Sequence, residues 1–296
     1  MHYIVLDFEW NQPLSEKEML MEPFPFDSEI IEIGAIKLDE SFQTVDEFKT
    51  FIRPQFYPHL SNAVVQLTKI RPQELEKAPS FPEAFDAFID WCGDDCALCS
   101  WGPDDIPVLL DNMLLHGIPT EPFPYCYDLQ RIFARELLRE NRQCSLSDAV
   151  KMLKLPADRA HDALNDTRNT VRVCERMDLA GCIDEYRTAF VGYGADRKSG
   201  LISGLIYPSL DAALADTRVK EITCPYCGEQ VSLTVSPQEG NTLFGYGRCN
   251  EGDEFLARIQ NYRQEGNARK VKRIVYEMSD DLWDTYQQAK SAASPV

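Results

Sequence analysis

Short apolar runs at the start of the chain predict strands. Residues 3–6 form an apolar run that ends at Asp7, and further runs follow at 30–38 and 48–52. Runs of this length that end at polar residues are typical of buried strands. The three runs together predict an antiparallel meander.

Helical periodicity follows the meander and alternates with one more strand. Over 81–92 the apolar residues recur on one helical face, and 97–101 returns as a strand. Asp105 begins an apolar helix that carries Pro107 in its first turn and ends near Gly117. Further helices are predicted at about 129–138, from Ser145 onward and at about 162–177. The pattern therefore predicts a mixed α/β domain.

The second half of the chain has a weaker pattern. Residues 191–209 are rich in glycine and serine and show little periodicity, which favours a linker. We therefore expect a first domain at 1–190, a linker at 191–219 and a small β-rich module with a C-terminal helix at 220–296. A chain of 296 residues with 44% hydrophobic residues can form one substantial core and a smaller second module.

The net charge bears on what the protein binds. The formal charge is −18, whereas proteins that bind phosphates along a surface usually have a surplus of lysine and arginine. This argues against a protein that coats long nucleic acid. An acidic protein can still process phosphodiesters when divalent cations screen the substrate's charge, so the composition favours a metal-loaded active site.

The N-terminus and the cysteines indicate a cytoplasmic location. The first residues carry no basic leader, and no apolar stretch is long enough to span a membrane, so no membrane partner is expected. Seven of the 10 cysteines lie in apolar helical or strand patterns, which suits reduced core thiols. These seven are Cys92, Cys96, Cys99, Cys126, Cys144, Cys174 and Cys182.

Two carboxylates come directly after the first apolar run. Because strand side chains alternate with a period of two, Asp7 and Glu9 can lie on the same face. Two like charges between apolar neighbours need a cation, although Asp-x-Glu pairs also occur on ordinary surface strands. The pair is a candidate metal site.

Two further segments place functional side chains at helix starts. Asp104 and Asp105 follow the 97–101 strand, where an aspartate also serves as an ordinary N-cap. His161 lies just before or in the first turn of the last helix and Asp166 about one turn into it, so both can face one cavity. A histidine beside an apolar helix can also be purely structural.

Together these motifs resemble the DEDDh-type 3′-to-5′ exonucleases, the histidine-bearing branch of the DnaQ-like DEDD superfamily. The matching motifs are Asp7-x-Glu9, Asp105 and His161-x-Ala163-x-x-Asp166, with the stretches 28–34 and 67–70 in support. Trp101-Gly-x-x-Asp105 is most similar to the free-standing, sporulation-inhibitor-like subgroup that trims RNA ends, and it favours Asp105 over Asp104. The resemblance covers about residues 1–190.

The resemblance implies a fold and a mechanism. The fold is an RNase H-like mixed five-stranded sheet flanked by helices. Two divalent ions, Mg²⁺ or Mn²⁺, are held around the scissile phosphate by four carboxylates, namely Asp7, Glu9, Asp105 and Asp166. His161 takes a proton from the attacking water. The implied reaction shortens single-stranded RNA or DNA from the 3′ end and releases nucleoside 5′-monophosphates.

The same resemblance implies a surface for the terminal nucleotide. By carry-over, Phe8, Trp10 and Leu67 stack or wedge against the last base. Glu29 or Ile30 lies nearby. Plain core packing is the alternative for all five side chains.

Three cysteines of the second module have the spacing of metal ligands. The segment Cys224-Pro-Tyr-Cys227 matches a zinc knuckle, and Cys249 adds a third thiol. Glycine occupies the expected fourth position, so the fourth ligand would be a carboxylate such as Glu251 or Asp253, a water, or nothing. The module thus resembles a degenerate zinc ribbon, and the sequence leaves open bound Zn²⁺ and a metal-free hairpin that survives on packing alone.

Three functions remain open at this point. One is a free-standing exonuclease, and another is a non-catalytic regulatory or nucleic-acid-binding protein on the same scaffold. The intact set of five residues favours the enzyme, because a scaffold has no chemical need for converging carboxylates. A polymerase-associated proofreading role is disfavoured by the extra module and the absence of a polymerase region. Discrimination between RNA and DNA depends on contacts to the 2′-hydroxyl, so only the resemblance favours RNA.

Overall fold

Two compact units make up the protein, for which we use a computed structural model. The structure describes residues 1–21, 26–120, 124–140, 143–186, 202–224, 226–236, 241–264, 267–278, 282–284, 286–287 and 290. The first unit comprises Met1–Met21, Phe26–Ile118 and Pro124–Arg187, and most of the second is Thr188–Val296. Among the described residues, no helix has the length and apolar character needed to cross a membrane.

A mixed five-stranded sheet forms the centre of the first unit. Its strands are β1 (His2–Asn11), β2 (Glu29–Leu38), β3 (Thr44–Phe51), β4 (Cys96–Ser100) and β5 (Cys126–Asp128). In the order β3-β2-β1-β4-β5, the first three strands are antiparallel neighbours, and β4 and β5 run parallel to β1. The predicted α/β sheet with its antiparallel meander is confirmed.

Helices flank this sheet. They are α1 (Asn62–Thr68), α2 (Pro72–Leu75), α3 (Phe81–Cys92), α4 (Asp105–Leu115), α5 (Leu129–Ile132), α6 (Leu146–Met152), α7 (Ala163–Cys174) and α8 (Leu179–Cys182). A π-helical segment, Phe133–Leu138, continues α5. The predicted starts of α6 and α7 are confirmed by their caps, because the side chains of Ser145 and Asp162 accept hydrogen bonds from backbone N–H groups of the first turn.

Strand β1 is longer than the apolar run that predicted it. Its pairing with β4 ends at Leu6, but its pairing with β2 continues to Asn11. Asp7 and Glu9 therefore lie inside β1, whereas the sequence suggested that they end the strand. The antiparallel partner provides backbone hydrogen bonds beyond the point where the apolar run stops.

Helix α7 approaches the sheet closely at a glycine. A Cβ atom on Gly34 would lie 2.2 Å from the carbonyl carbon of Ala163 and 2.2 Å from the backbone nitrogen of Leu164. Thr167 Oγ1 also donates a hydrogen bond to the Gly34 carbonyl oxygen (3.1 Å). Because Gly34 pairs with Asp7 in the sheet, this contact sets how near the start of α7 comes to β1.

Gly34→Ala is expected to destabilise the protein by about 3 kcal/mol, at the upper end of the cost of overpacking a core, because the clash is with backbone atoms. Urea denaturation measures this change. Ala35→Gly is the matched control, because it alters the next residue without a clash and costs only about 1 kcal/mol. Equal midpoints for the two variants would show that α7 shifts away from Gly34 without cost.

The second unit contains an antiparallel five-stranded sheet and a small hairpin. The sheet has the order β6-β12-β11-β10-β9, with β6 (Ile202–Tyr207), β9 (Thr234–Val235), β10 (Thr242–Arg248), β11 (Glu254–Arg263) and β12 (Arg269–Glu277). The hairpin is formed by β7 (Glu221–Thr223) and β8 (Gln230–Ser232), and α9 (Leu210–Ala215) and α10 (Thr217–Lys220) precede it. The predicted β-rich module is confirmed, and helical residues occur at 282–284 and 286–287.

The predicted linker at 191–219 is wrong over its second half. Strand β6 pairs with β12 at the edge of the sheet, and Leu205 and Ala213 pack in the core of the second unit. The glycine and serine residues in this segment weaken the hydrophobic pattern from which a strand is predicted. Strand β6 forms because it pairs with β12, which lies far along the chain. Residues 191–201 lie outside the described residues.

Candidate active site

Strand β1 presents two carboxylates at the point where its neighbour β4 has ended. Asp7 is half-buried and lies opposite Gly34, and Glu9 is buried and lies opposite Glu32 of β2. The strand period of two puts Asp7 and Glu9 on one face, as predicted, and the charge on Glu9 acts on Asp7.

Helix α4 contributes a third carboxylate. Asp105 is the first residue of α4 and is buried, and its Oδ1 accepts a hydrogen bond from the backbone N–H of Phe8 in β1 (3.2 Å). The neighbouring Asp104 is exposed. The structure thus brings Asp105, rather than Asp104, beside the carboxylates of β1, in agreement with the Trp-Gly-x-x-Asp spacing.

The residues around the start of α7 contribute a histidine and a fourth carboxylate. The backbone N–H of His161 donates a hydrogen bond to Asp166 Oδ2 (2.7 Å). A ring nitrogen of His161 and carboxylate oxygens of Glu9 and Asp166 all lie within 4.8 Å of one another. His161 is exposed and has a φ of 62°. This is the left-handed region of the backbone, which residues other than glycine adopt mainly at turns and functional sites.

Burial and mutual repulsion disfavour the charged forms of these carboxylates. Burial, followed by the charges of Asp105 and Asp166, raises the pKa of Asp7 well above its usual range. Burial and the charge of Glu32 raise the pKa of Glu9 to about 8. Burial also raises the pKa of Asp105 to about 7, against the effect of its backbone hydrogen bond, and raises the pKa of Asp166. The site therefore concentrates negative charge in a poorly solvated place.

This set of donors fits divalent cations. Hard cations prefer carboxylate oxygens, and two positive charges on each ion would offset the repulsion that raises these pKa values. The residues that would hold such ions are Asp7, Glu9, Asp105 and Asp166. The imidazole of His161 at the edge of the cluster can exchange a proton with a bound molecule.

An ion-pair network around one buried carboxylate beside the site was not predicted. Glu32 is 1% exposed and lies 2.6 Å from Lys49 Nζ, which also contacts Asp162 Oδ2 (2.8 Å). Glu32 Oε2 accepts a hydrogen bond from the backbone N–H of Ala163 (3.4 Å). The network therefore ties β2 and β3 to the start of α7. The signal in the sequence was Glu32, the one glutamate inside the apolar 30–38 run, but the family resemblance pointed instead to Glu29, just before that run.

Three of the residues predicted to contact substrate are buried in the structure. Phe8 and Ile30 are 2% and 0% exposed, so their side chains pack in the core. Phe8 lies between the two carboxylates of β1, and the strand period turns it to the opposite face. Glu29 is buried, and its carboxylate accepts hydrogen bonds from the backbone N–H groups of residues 55–57. Glu29 therefore anchors a loop.

The contacts predicted between the terminal base and the side chains of Trp10 and Leu67 stay predictions. Trp10 is half-buried and follows an irregularity in the β1–β2 register after Glu9. Leu67 is 51% exposed on α1, which contacts β1. Both side chains are accessible to a bound nucleotide.

Comparison with known proteins yields one matching family and related sequences. A family model described as exonuclease matches residues 4–174. A human protein named 3′-5′ exoribonuclease 1 is 25% identical over 171 residues, which cover 54% of this chain and 49% of the human protein. A PolC-type DNA polymerase III from Thermotoga maritima is 32% identical over 176 residues, which cover 59% of this chain and 12% of the polymerase. The chain therefore spans about half the length of the human relative.

A solved structure extends this similarity to three dimensions. The nuclease domain of 3′hExo, a DEDDh family member bound to rAMP, superposes with a TM-score of 0.53 at 25% sequence identity. The match covers 61% of this chain and 93% of that domain. The first unit thus shares the RNase H-like fold that the sequence resemblance implied.

Proposed function

Since the chain belongs to the exonuclease family, whose model covers residues 4–174, we propose that it is a metal-dependent 3′-to-5′ exonuclease. The observation that carries the proposal is the convergence of five side chains from β1, α4 and the start of α7, namely Asp7, Glu9, Asp105, His161 and Asp166. DEDDh exonucleases use divalent metal ions, and this donor set suits such ions.

The reaction is hydrolysis of the last phosphodiester. The four carboxylates would hold two ions, Mg²⁺ or Mn²⁺, and such ions would offset the charge of the phosphate and lower the barrier to attack by water. His161 accepts a proton as the water oxygen bonds to phosphorus. The bond from phosphorus to the 3′-oxygen breaks, that oxygen takes up a proton and stays on the shortened strand, and a nucleoside 5′-monophosphate leaves.

The network beside the site keeps this histidine in place. Lys49 joins Glu32 to Asp162, the residue after His161, and Glu32 also holds the first turn of α7. The hydrogen bond from the His161 N–H to Asp166 fixes the backbone on the other side. The backbone of His161 is thus held by the segments on both sides, while its imidazole stays exposed to substrate.

The substrate we propose is the 3′ end of a single strand, with RNA favoured over DNA. The human relative is named an exoribonuclease, and the 3′hExo nuclease domain was solved with rAMP. The relative named DNA polymerase III supports DNA as the alternative substrate. Trp10 and Leu67 would contact the terminal base. Such contacts tolerate many sequences because every base has an apolar face.

A cytoplasmic location is part of the proposal. All 10 cysteines are free thiols, although several are close enough to neighbours for their sulfurs to interact. Free thiols in such number suit a reducing compartment, since disulfides form and persist in oxidising ones.

Single-stranded RNA and DNA of the same sequence, labelled at either end, test the activity. We expect 5′-labelled strands to shorten stepwise and 3′-labelled strands to release a labelled mononucleotide at once, with RNA degraded faster. EDTA should abolish the reaction, and added Mn²⁺ or Mg²⁺ should restore it, because the carboxylates alone cannot offset the charge of the phosphate.

Other outcomes of this assay are equally informative. No shortening of any substrate by folded protein would exclude the enzyme and favour a regulatory scaffold. Shortening from the 5′ end would contradict the proposed polarity. Faster degradation of DNA would overturn only the preference for RNA.

A further inference from the structure

Three thiols and a carboxylate meet between two hairpin loops of the second unit. One sulfur each from Cys224, Cys227 and Cys249 and one oxygen of Asp253 all lie within 4.8 Å of one another. Asp253 Oδ2 is 3.4 Å from the Cys224 sulfur and 3.2 Å from the Cys249 sulfur. The remaining candidate for the fourth position, Glu251, is not part of this cluster.

The two loops close in the same way, and the difference in their lengths explains why Asp253 takes the fourth position. The N–H of Cys224 donates to Glu229 O (2.8 Å), and the N–H of Cys249 donates to Asp253 O (2.9 Å). Each closing residue follows a glycine with positive φ, Gly228 at 74° and Gly252 at 106°. The second loop is one residue shorter and lacks a counterpart of Cys227. The side chain of its closing residue reaches the sulfurs instead.

Backbone N–H groups in both loops point at sulfur. The N–H groups of Tyr226 and Cys227 donate to the Cys224 sulfur, and the N–H of Asp253 donates to the Cys249 sulfur (3.3 Å). These donors orient each sulfur, as the surroundings of metal ligands generally do.

The cluster does not depend on a ligand to bring the loops together. The carboxylate of Glu229 accepts hydrogen bonds from the Asn250 backbone N–H and from Asn250 Nδ2, both at 2.6 Å. Cys224 and Cys249 are buried in the core of the second unit, and Cys227 is exposed. The geometry is therefore that of a preformed site with one ligand at the solvent side.

We propose that Cys224, Cys227, Cys249 and Asp253 form a four-coordinate site for Zn²⁺ that joins the β7–β8 loop to the β10–β11 loop. Three thiolates select a thiophilic cation, whereas the oxygen-only cluster of the first unit suits Mg²⁺ or Mn²⁺. With four protein ligands the site has no open position, so its role is structural. The protein thus holds two chemically distinct metal sites.

Metal analysis of the full chain tests this site. Protein expressed with added zinc and freed of loosely bound metal by gel filtration should retain about one zinc per chain, since a structural site is filled stoichiometrically. Protein reloaded with Co²⁺ should show sulfur-to-cobalt charge-transfer absorption and the strong visible bands of a tetrahedral ion. Asp7→Asn should retain the same zinc content, which separates this site from the carboxylate cluster.

Variants identify the fourth ligand. Asp253→Ala is expected to weaken zinc binding by more than about 100-fold, because loss of a mere supporting partner costs about 10–100-fold. Glu251→Ala is the matched control in the same loop and should leave binding unchanged. Asp253→Cys should bind at least as tightly as the native chain and give the cobalt spectrum of a four-sulfur site. That variant keeps the test open if Asp253→Ala does not fold.

Several results would overturn the proposal. Zinc-free protein after expression with zinc, or a disulfide between any two of the three cysteines, would exclude a metal site. Native affinity in Asp253→Ala, or equal losses in Asp253→Ala and Glu251→Ala, would remove Asp253 as a ligand. Nuclease activity is scored separately, so failure of this proposal and failure of the proposed function are distinguishable.

Discussion

Asp7→Asn is expected to lower nuclease activity by at least about 10³-fold, because metal ions contribute several kcal/mol of transition-state stabilisation and each 1.36 kcal/mol is a factor of ten. Asp7 lies in β1, and the charges of Asp105, Asp166 and Glu9 all act on it. An amide oxygen carries no charge and holds a hard cation much less firmly. The loss should appear in the rate at saturating substrate.

The same substitution should stabilise the metal-free protein. Because the pKa of Asp7 is raised in the folded state, folding is favoured below the unfolded pKa and that advantage is lost as the pH rises through the folded pKa. Asparagine cannot ionise, so it removes the free-energy cost of charging the side chain at position 7 in the folded protein. We expect a gain of about 1–2 kcal/mol in EDTA at neutral pH, as is common when a functional charge is removed, and a larger gain at pH 8 than at pH 5.

Thermal unfolding with EDTA and with Mn²⁺ measures this exchange of activity for stability. Manganese should raise the melting temperature of the native chain more than that of Asp7→Asn, because a ligand stabilises the state that binds it. Asp86→Asn, an exposed aspartate in α3, is the control for a lost charge outside the site. Lower stability of Asp7→Asn in EDTA would contradict the view of a repulsive cluster, and native activity would remove Asp7 from the site.

His161→Asn is expected to lower the rate constant at saturating substrate by about 10²–10⁴-fold, the usual contribution of a general base. Asparagine is the appropriate replacement because it tolerates the left-handed φ of 62° at this position. His161 is exposed, so its loss should leave the stability nearly unchanged. Manganese should still raise the melting temperature, because the four carboxylates remain.

The contrast between the two variants separates metal binding from proton transfer. Single-turnover kinetics and manganese-dependent melting of His161→Asn and Asp7→Asn, measured side by side, report on the two roles. His2→Asn, near the opposite end of β1, is the control for an unrelated histidine. If His161→Asn lost the manganese stabilisation as Asp7→Asn does, His161 would act on metal binding rather than on the proton of the attacking water.

The sequence by itself determined the order of elements and the identity of the converging residues. Apolar runs and helical periodicity depend on near neighbours in the chain, and so do the caps at Ser145 and Asp162. The motifs around Asp7, Asp105 and His161 were likewise readable, because each lies at a fixed short spacing from its own strand or helix.

Only the tertiary structure decided which side chains share an environment. Glu32 reaches the site because the β1–β2 register places it opposite Glu9, while Glu29 on the same strand holds residues 55–57. Phe8 and Ile30 are buried, and their backbone N–H groups donate hydrogen bonds to side chains of α4, which lies far along the chain. Strand β6 becomes regular only through its pairing with β12.

The cysteine cluster shows the same division between sequence and structure. Spacing alone identified the three thiols but left the fourth position open between Glu251, Asp253, water and nothing. The turn at Gly252 brings the side chain of Asp253 to the sulfurs, and that turn is fixed by the β10–β11 pairing. Local patterns follow from the chain's own covalent neighbours, whereas register, burial and the meeting of distant loops follow from contacts that form only in the folded protein.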